Sequence, residues 1–318
     1  MNDWPRLLDF AARHAEAPLA LATLVGRTGS SYRLPGARLV VTVDGEFAGS
    51  LSGGCLEDGI AQVARRVLQT GRDEKLRIDT RPHFGCPGLL DIWVETLRPE
   101  QIAELRRGLA ARKAFTYDTV YSENNDATDG TSPRPVFRET IAPVPRLLVA
   151  GTARDAEALC RQAGLLGWET WRIAPDPAAA RELKIVAHEH IRACAPDELP
   201  RRFTADARTA LVIMTHHLGR DAAYLRHALR QPFGYLGLLG SRRRREEIFR
   251  VLGDAGIFDD GPPPETLHAP VGLDLGAETP EAIALAIVAE IHATWQGRPG
   301  GPLREKHGPI HVAVATRG

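Results

Sequence analysis

From Arg146 onward the chain alternates short apolar runs with helical segments, and no other feature limits its fold as tightly. Runs at 146–150, 170–173, 210–214 and 234–239 read as buried strands. They are separated by helices over 155–166, about 222–229 and 241–252, and a last helix spans 280–295. Parallel strands need crossovers of a dozen or more residues, so this period predicts a parallel, doubly wound sheet. Pro280 suits the first turn of the closing helix.

The first half is patterned differently. Leu7, Leu8, Phe10, Ala11 and Ala12 predict an opening amphipathic helix with Asp3 as its cap, and Leu19–Val25 predicts a strand. Residues 38–43 and 46–49 flank Asp44-Gly45, a two-residue hairpin signal. Further strands are expected at 76–79, 89–95 and 115–121, with helices near 56–68 and 99–112. Residues 123–143 hold Asn124-Asn125-Asp126 and Thr128-Asp129-Gly130 among few apolar side chains, the composition of a linker. The expected organisation is therefore a mixed α/β amino-terminal domain over 1–122, a linker over 123–143 and a Rossmann-like domain over 144–318.

Forty basic and forty acidic residues cancel, and aromatics do not interleave with a basic stripe, so nothing points to nucleic acid. No apolar run approaches the ~20 residues that span a bilayer. Met1-Asn2-Asp3-Trp4-Pro5-Arg6 lacks the cationic start of a signal peptide. Four cysteines without a C-x-x-C pair predict reduced thiols in a cytoplasmic protein rather than a disulfide or thiolate-zinc framework.

Two of those cysteines sit among glycines. Ser52-Gly53-Gly54-Cys55 leads into the helix near Leu56, and Phe84-Gly85-Cys86-Pro87-Gly88 repeats the arrangement. A cysteine at a helix start meets unpaired N–H groups and the positive dipole end, which favour a thiolate. Structural cysteines on tight turns are the alternative.

In the second half, Gly151-Thr152-Ala153-Arg154-Asp155-Ala156 occupies the place of a dinucleotide fingerprint. Ala153 stands where a pyrophosphate needs a glycine, and the second strand ends in Ala174 where a ribose-binding acid belongs, which argues against ordinary NAD(P) binding. Asp176 is the nearest substitute. Thr215-His216-His217 and Gly240-Ser241-Arg242 follow two other strands, where open α/β sheets bind ligands. His216 there suits a metal, acid–base work or a phosphate, and Ser241 an oxyanion; ordinary helix capping is the bland alternative. His188-Glu189-His190 resembles a metal site by composition only, with no third ligand to name.

The stretches Gly29–Arg38, Ser52–Glu57 and Gly85–Gly88 resemble the amino-terminal domain of XdhC/CoxI proteins. Thr215-His216, Gly237–Arg242, Ala269–Gly276 and Thr279-Pro280-Glu281 resemble their Rossmann-like carboxyl-terminal domain. The resemblance implies an accessory chaperone for molybdenum hydroxylases such as xanthine dehydrogenase. Such a protein binds molybdenum cofactor, protects it while a cysteine desulfurase installs the terminal sulfur, and inserts it into the apo-enzyme. On that reading Cys55 or Cys86 contacts molybdenum, with Cys55 favoured by its helix-start setting. Ser52, Gly53, Gly54, Gly85 and Gly88 with Arg33 and Arg38 hold the pterin phosphate. Gly151, His216 and Ser241 hold a nucleotide portion where the cofactor carries one. A homodimer is a further family expectation. The rival is a nucleotide-dependent oxidoreductase working from the Rossmann-like half, and a non-catalytic scaffold is a third reading.

Overall fold

The computed structural model describes residues 3–29, 31–54, 56–80, 88–122, 134–185, 189–258 and 261–308. The chain divides into two compact units, Met1–Val144 and Pro145–Gly318.

Unit 1 contains α1 (Trp4–Arg13), β1 (Leu19–Gly29), β2 (Arg38–Thr42), β3 (Phe47–Gly49), α2 (Glu57–Thr70), β4 (Glu74–Asp79) and β5 (Gly88–Thr96). It closes with α3 (Pro99–Ala110), β6 (Phe115–Val120) and β7 (Val136–Ile141). Five strands form one antiparallel sheet in the order β3-β2-β1-β5-β4. Alternation along β5 puts Leu90, Ile92 and Val94 on the face that α2 covers with Ile60, Ala64 and Val67. The opposite face packs Leu21 and Val40 against Trp4, Leu7 and Phe10 of α1, Leu105 of α3 and Tyr117 of β6. Each fully buried aliphatic side chain contributes about 1.5–3 kcal/mol. Gly71 ends α2 in the left-handed conformation, its N–H donating to Val67. Asp3 begins α1 but makes no side-chain cap; its carboxylate pairs with Arg33 instead.

Residues 136–141, inside the segment read as a linker, form β7 and pair along β6 from Phe115↔Ile141 to Val120↔Val136. The outward residues of this ribbon are polar or half-exposed, so its composition is that of a linker while its backbone is that of a hairpin.

Unit 2 contains β8 (Arg146–Ala150), α4 (Arg154–Leu165), β9 (Glu169–Ala174), α5 (Pro177–Glu182), β10 (Glu189–Ala193), α6 (Leu199–Arg202) and β11 (Thr209–Ile213). It continues with α7 (Leu218–Ala228), β12 (Tyr235–Leu238), α8 (Arg242–Asp254), β13 (Leu267–His268) and α9 (Pro280–Trp295). All six strands are parallel, in the order β10-β9-β8-β11-β12-β13, which is the order of dinucleotide-binding sheets. β8 and β11 are buried nearly throughout, as strands covered on both faces must be. α4 and α9 cover one face; α6, α7 and α8 cover the other. The Rossmann-like parallel sheet expected from the sequence is present, with two strands it did not expect, β10 and β13.

Candidate functional site

In unit 1 the strand registers gather the motif-bearing connections at one end of the sheet. Gly29 at the end of β1 lies opposite Gly88 at the start of β5, Asp79 opposite Leu89, and Gly49 at the end of β3 opposite Leu39. The β1–β2, β3–α2 and β4–β5 connections therefore all leave from that end. They carry Arg33, the stretch Ser52-Gly53-Gly54, and Gly88. Thr80 and Gly88 close the base of the third connection through paired hydrogen bonds of 2.9–3.0 Å. Cys55, Gly85 and Cys86 lie outside the described residues, as does His188.

The β3–α2 loop is built around Glu57, the first residue of α2 and a buried one. Its Oε1 accepts from Ser50 Oγ, Leu51 N and Ser52 N, each at 2.9 Å. Its Oε2 accepts from Ser52 Oγ at 2.6 Å, Gly54 N at 2.9 Å and Leu56 N at 3.1 Å. Gly53 N donates to Ser50 Oγ at 3.0 Å. Burial works to raise the Glu57 pKa, but these donors outweigh it and hold the carboxyl at about 2. The backbone N–H groups of the loop leading into α2, up to Leu56 at its cap position, are thus paired with an anion that the helix itself supplies. Gly53 and Gly54 make the reversal possible with φ of +85° and +114°. The sequence signal was an acid directly at the predicted helix start, where the dipole favours one.

The two arginines read as phosphate contacts are engaged within unit 1. Arg33 pairs with Asp3. Arg38 is buried, pairs with Glu139, donates to Gly36 O at 2.7 Å and lies 4.5 Å over the Trp4 ring. Burial lowers its pKa to about 10. A guanidinium so enclosed has a packing role, and the phosphate role expected of Arg38 does not fit its position. Tyr32 lies beside the same loop: a Cβ added at Gly53 would sit 3.1 Å from its Cδ1 and Cε1.

In unit 2 the strand ends converge as parallel topology requires. The helices reverse faces between β8 and β11, and the crevice there is flanked by Gly151, Ala153, Asp155 and His216. His216 has φ +59° and points its half-exposed imidazole to within 3.7 Å of the Asp155 carboxylate. Its loop is tied down by buried Asp221, which accepts from Thr215 N at 3.1 Å and from Arg244 Nη2 at 2.7 Å. His217 caps α7 through Nδ1, and Ser241 caps α8 by accepting from Arg244 N at 3.2 Å. Gly151 has a packing reason, since a Cβ there would fall 2.7 Å from Met214 O. Asp176, the substitute ribose acid, caps α5 by accepting from Ala179 N. His190 is exposed and stacks on Trp171, and Glu189 is buried against Arg172. Among the described residues no group of three or more His, Cys, Asp or Glu could hold a metal ion. Burial raises the thiol pKa values of Cys160 and Cys194, the latter to about 11.

Two family profiles match the chain in sequence order, the XdhC and CoxI family over residues 12–79 and the XdhC Rossmann domain over residues 147–291. The chain belongs to the XdhC/CoxI family. A relative from Bacillus subtilis (strain 168), named as a probable xanthine dehydrogenase subunit, is 27% identical, with 92% of this chain and 98% of that protein aligned. The molybdenum cofactor insertion chaperone PaoD of Escherichia coli (strain K12) is 28% identical over 85% of this chain and 81% of its own length. A crystal structure from Bacillus halodurans, described as a xanthine dehydrogenase, shares the fold with a TM-score of 0.77 and 26% identity. That match covers 96% of this chain and 98% of the other. The XdhC/CoxI profile covers the β1–β2 and β3–α2 loops, and the Rossmann profile covers the switch-point crevice. No described helix is long and apolar enough to cross a membrane.

Proposed function

We propose that this XdhC/CoxI protein binds molybdenum cofactor and hands it to a molybdenum hydroxylase of the xanthine dehydrogenase type. The observation that carries this reading is the convergence of three motif-bearing connections on one end of the unit 1 sheet, one of them held in shape by Glu57. The names of the Bacillus subtilis and Escherichia coli relatives supply the cargo. Cys55 and Cys86 are the proposed molybdenum contacts, since a thiolate suits a soft metal site. Cys160 and Cys194 are buried and poor competitors.

The finer reading follows the family pattern: the cofactor is held while a cysteine desulfurase supplies its terminal sulfur, by a cytoplasmic homodimer. A nucleotide-extended cofactor would place its nucleotide near Gly151, His216 and Ser241. NAD(P)-dependent oxidoreduction is disfavoured by Ala153 and by Asp176, whose carboxylate is committed to capping α5. The role is non-catalytic.

Anaerobic equilibrium binding of free molybdenum cofactor tests the proposal. Saturable binding by the wild-type protein is expected, with loss in Cys55→Ala or Cys86→Ala and retention in Cys160→Ala. Equal retention in all three variants would remove the thiols from the site, and no binding by the wild-type chain would end the reading.

A further inference from the structure

The β3–α2 loop has the outline of an anion nest, yet its donors are spent. Leu51 N, Ser52 N, Gly54 N and Leu56 N all point into the Glu57 carboxylate, and Gly53 N is taken by Ser50 Oγ. A phosphate entering this loop would have to displace a covalently attached anion already bound by six hydrogen bonds. Arg33 and Arg38 are each paired with a carboxylate. These four loop N–H groups and the two arginines read as phosphate contacts are thus engaged by the protein itself.

What the loop does present is an aromatic ring. Tyr32 remains 66% exposed although it is seated against the loop along its Cδ1–Cε1–Cζ edge, 3.1–3.5 Å from where a Gly53 Cβ would stand. A Cβ at position 53 would press on the ring and require it to give by a few tenths of an ångström. The chain just after Tyr32 is anchored by the Arg33–Asp3 pair, Ala37 N to Leu34 O at 3.1 Å and Gly36 N to Leu24 O at 2.8 Å. The ring therefore lies beside Gly53 with about two-thirds of the residue open to solvent.

We propose that Tyr32 is the stacking platform for the pyrimidinone face of the cofactor's pterin, so that unit 1 recognises its ligand by this ring and not by the phosphate. This rests on the cofactor-binding reading above. The pyrimidinone ring of a pterin keeps a flat π face whatever the oxidation state of the ring fused to it, and stacking of a base on an aromatic side chain contributes ~1–3 kcal/mol. Loss of an equivalent contact should weaken binding about tenfold.

Two probes separate this proposal from the one it rests on: molybdenum cofactor released from a molybdenum hydroxylase, and hydroxymethylpterin, a fluorescent pterin with neither metal nor phosphate. Both are titrated anaerobically into the full chain, with thermal unfolding confirming that each variant is folded. The wild-type protein should bind both, and excess inorganic phosphate should displace neither. Tyr32→Phe should bind as wild type, and Tyr32→Ala should weaken both about tenfold. Cys55→Ala should weaken the cofactor alone. Wild-type affinity for both probes in Tyr32→Ala, or displacement of the pterin by phosphate, overturns the platform while leaving cofactor binding intact. Binding of neither probe by the wild-type protein overturns cofactor binding and the platform together.

Discussion

The glycine-bearing loops of the two units look alike in sequence and are stabilised in opposite ways. In unit 1 the Ser50–Leu56 loop folds back on one carboxylate, Glu57, which takes up backbone N–H groups from four residues. In unit 2, α5, α7, α8 and α9 are capped one by one, by Asp176, His217, Ser241 and Thr279, while α4 after Gly151 has no side-chain cap; buried Asp221 ties Thr215 at the end of β11 to Arg244 of α8. The first arrangement leaves a loop whose N–H groups at Leu51, Ser52, Gly53, Gly54 and Leu56 are already engaged. The second leaves His216 and Asp155 facing each other across the switch-point crevice. A glycine-rich turn before a helix therefore does not by itself imply an anion site; the accounting of its N–H groups does.

The largest expected effect tests the distributed arrangement. Asp221→Ala strands the partly buried Arg244 guanidinium and two Thr215 donors, and should destabilise the fold by about 3–5 kcal/mol in equilibrium unfolding. If it costs no more than a surface substitution, the strand-end tie is decorative and the contrast fails.

Next comes a comparison of two buried carboxylates within unit 1. Glu95 meets burial and the charge of Asp73 with only a 3.4 Å contact to Gln101, and its pKa is raised to about 7. Between 4.5 and about 7 the folded state binds more protons at Glu95 than the unfolded state, so stability falls as pH rises through that window. Glu95→Gln should remove that fall and stabilise the protein above neutrality by up to about 3 kcal/mol. Glu57 has the opposite sign: between about 2 and 4.5 the unfolded state binds more protons, and stability is lost as pH falls. Glu57→Gln should flatten this acid limb and cost about 2–3 kcal/mol at neutral pH, because its amide N–H₂ confronts backbone donors. Thermal unfolding across pH distinguishes the two; the same slope in both variants would mean that burial, not donors, sets both carboxyls.

Much of this was legible from residue patterns. Short apolar runs identified β8, β11 and β12, the stretch after Gly167 identified β9, and alternation at Leu90, Ile92 and Val94 identified β5. β10 escaped because its buried position is a glutamate, Glu189, which is tolerable only because Arg172 reaches it at 2.6 Å. β13 is two residues long and carries no period. Among site residues, the motif loops announced themselves, but the enclosure of Arg38 depends on Glu139, 101 positions later. The role of Glu57 was nearer at hand. An acid at a helix start was visible, whereas the reversal that brings six donors to it needed the loop's three-dimensional path.

The smallest effects concern the glycines themselves. Gly151→Ala places a Cβ 2.7 Å from Met214 O and should cost about 2 kcal/mol through overpacking, with no effect on cofactor affinity. A Cβ added at Gly54 would have no atom within 4 Å, so Gly54→Ala suffers only from its φ of +114° and should cost about 1 kcal/mol. If the proposed cofactor site is right, its effect on cofactor binding should be the larger one, about tenfold weaker, because the added methyl would stand in the open space beside the loop. Equilibrium unfolding and cofactor titration on both variants give four numbers. A crossed result, with unfolding sensitive at 151 and binding sensitive at 54, keeps the distinction between a glycine that admits the chain and one that admits a ligand. Equal unfolding costs with unchanged binding would make both glycines packing devices, and the unit 1 loop would lose its claim to face the cargo.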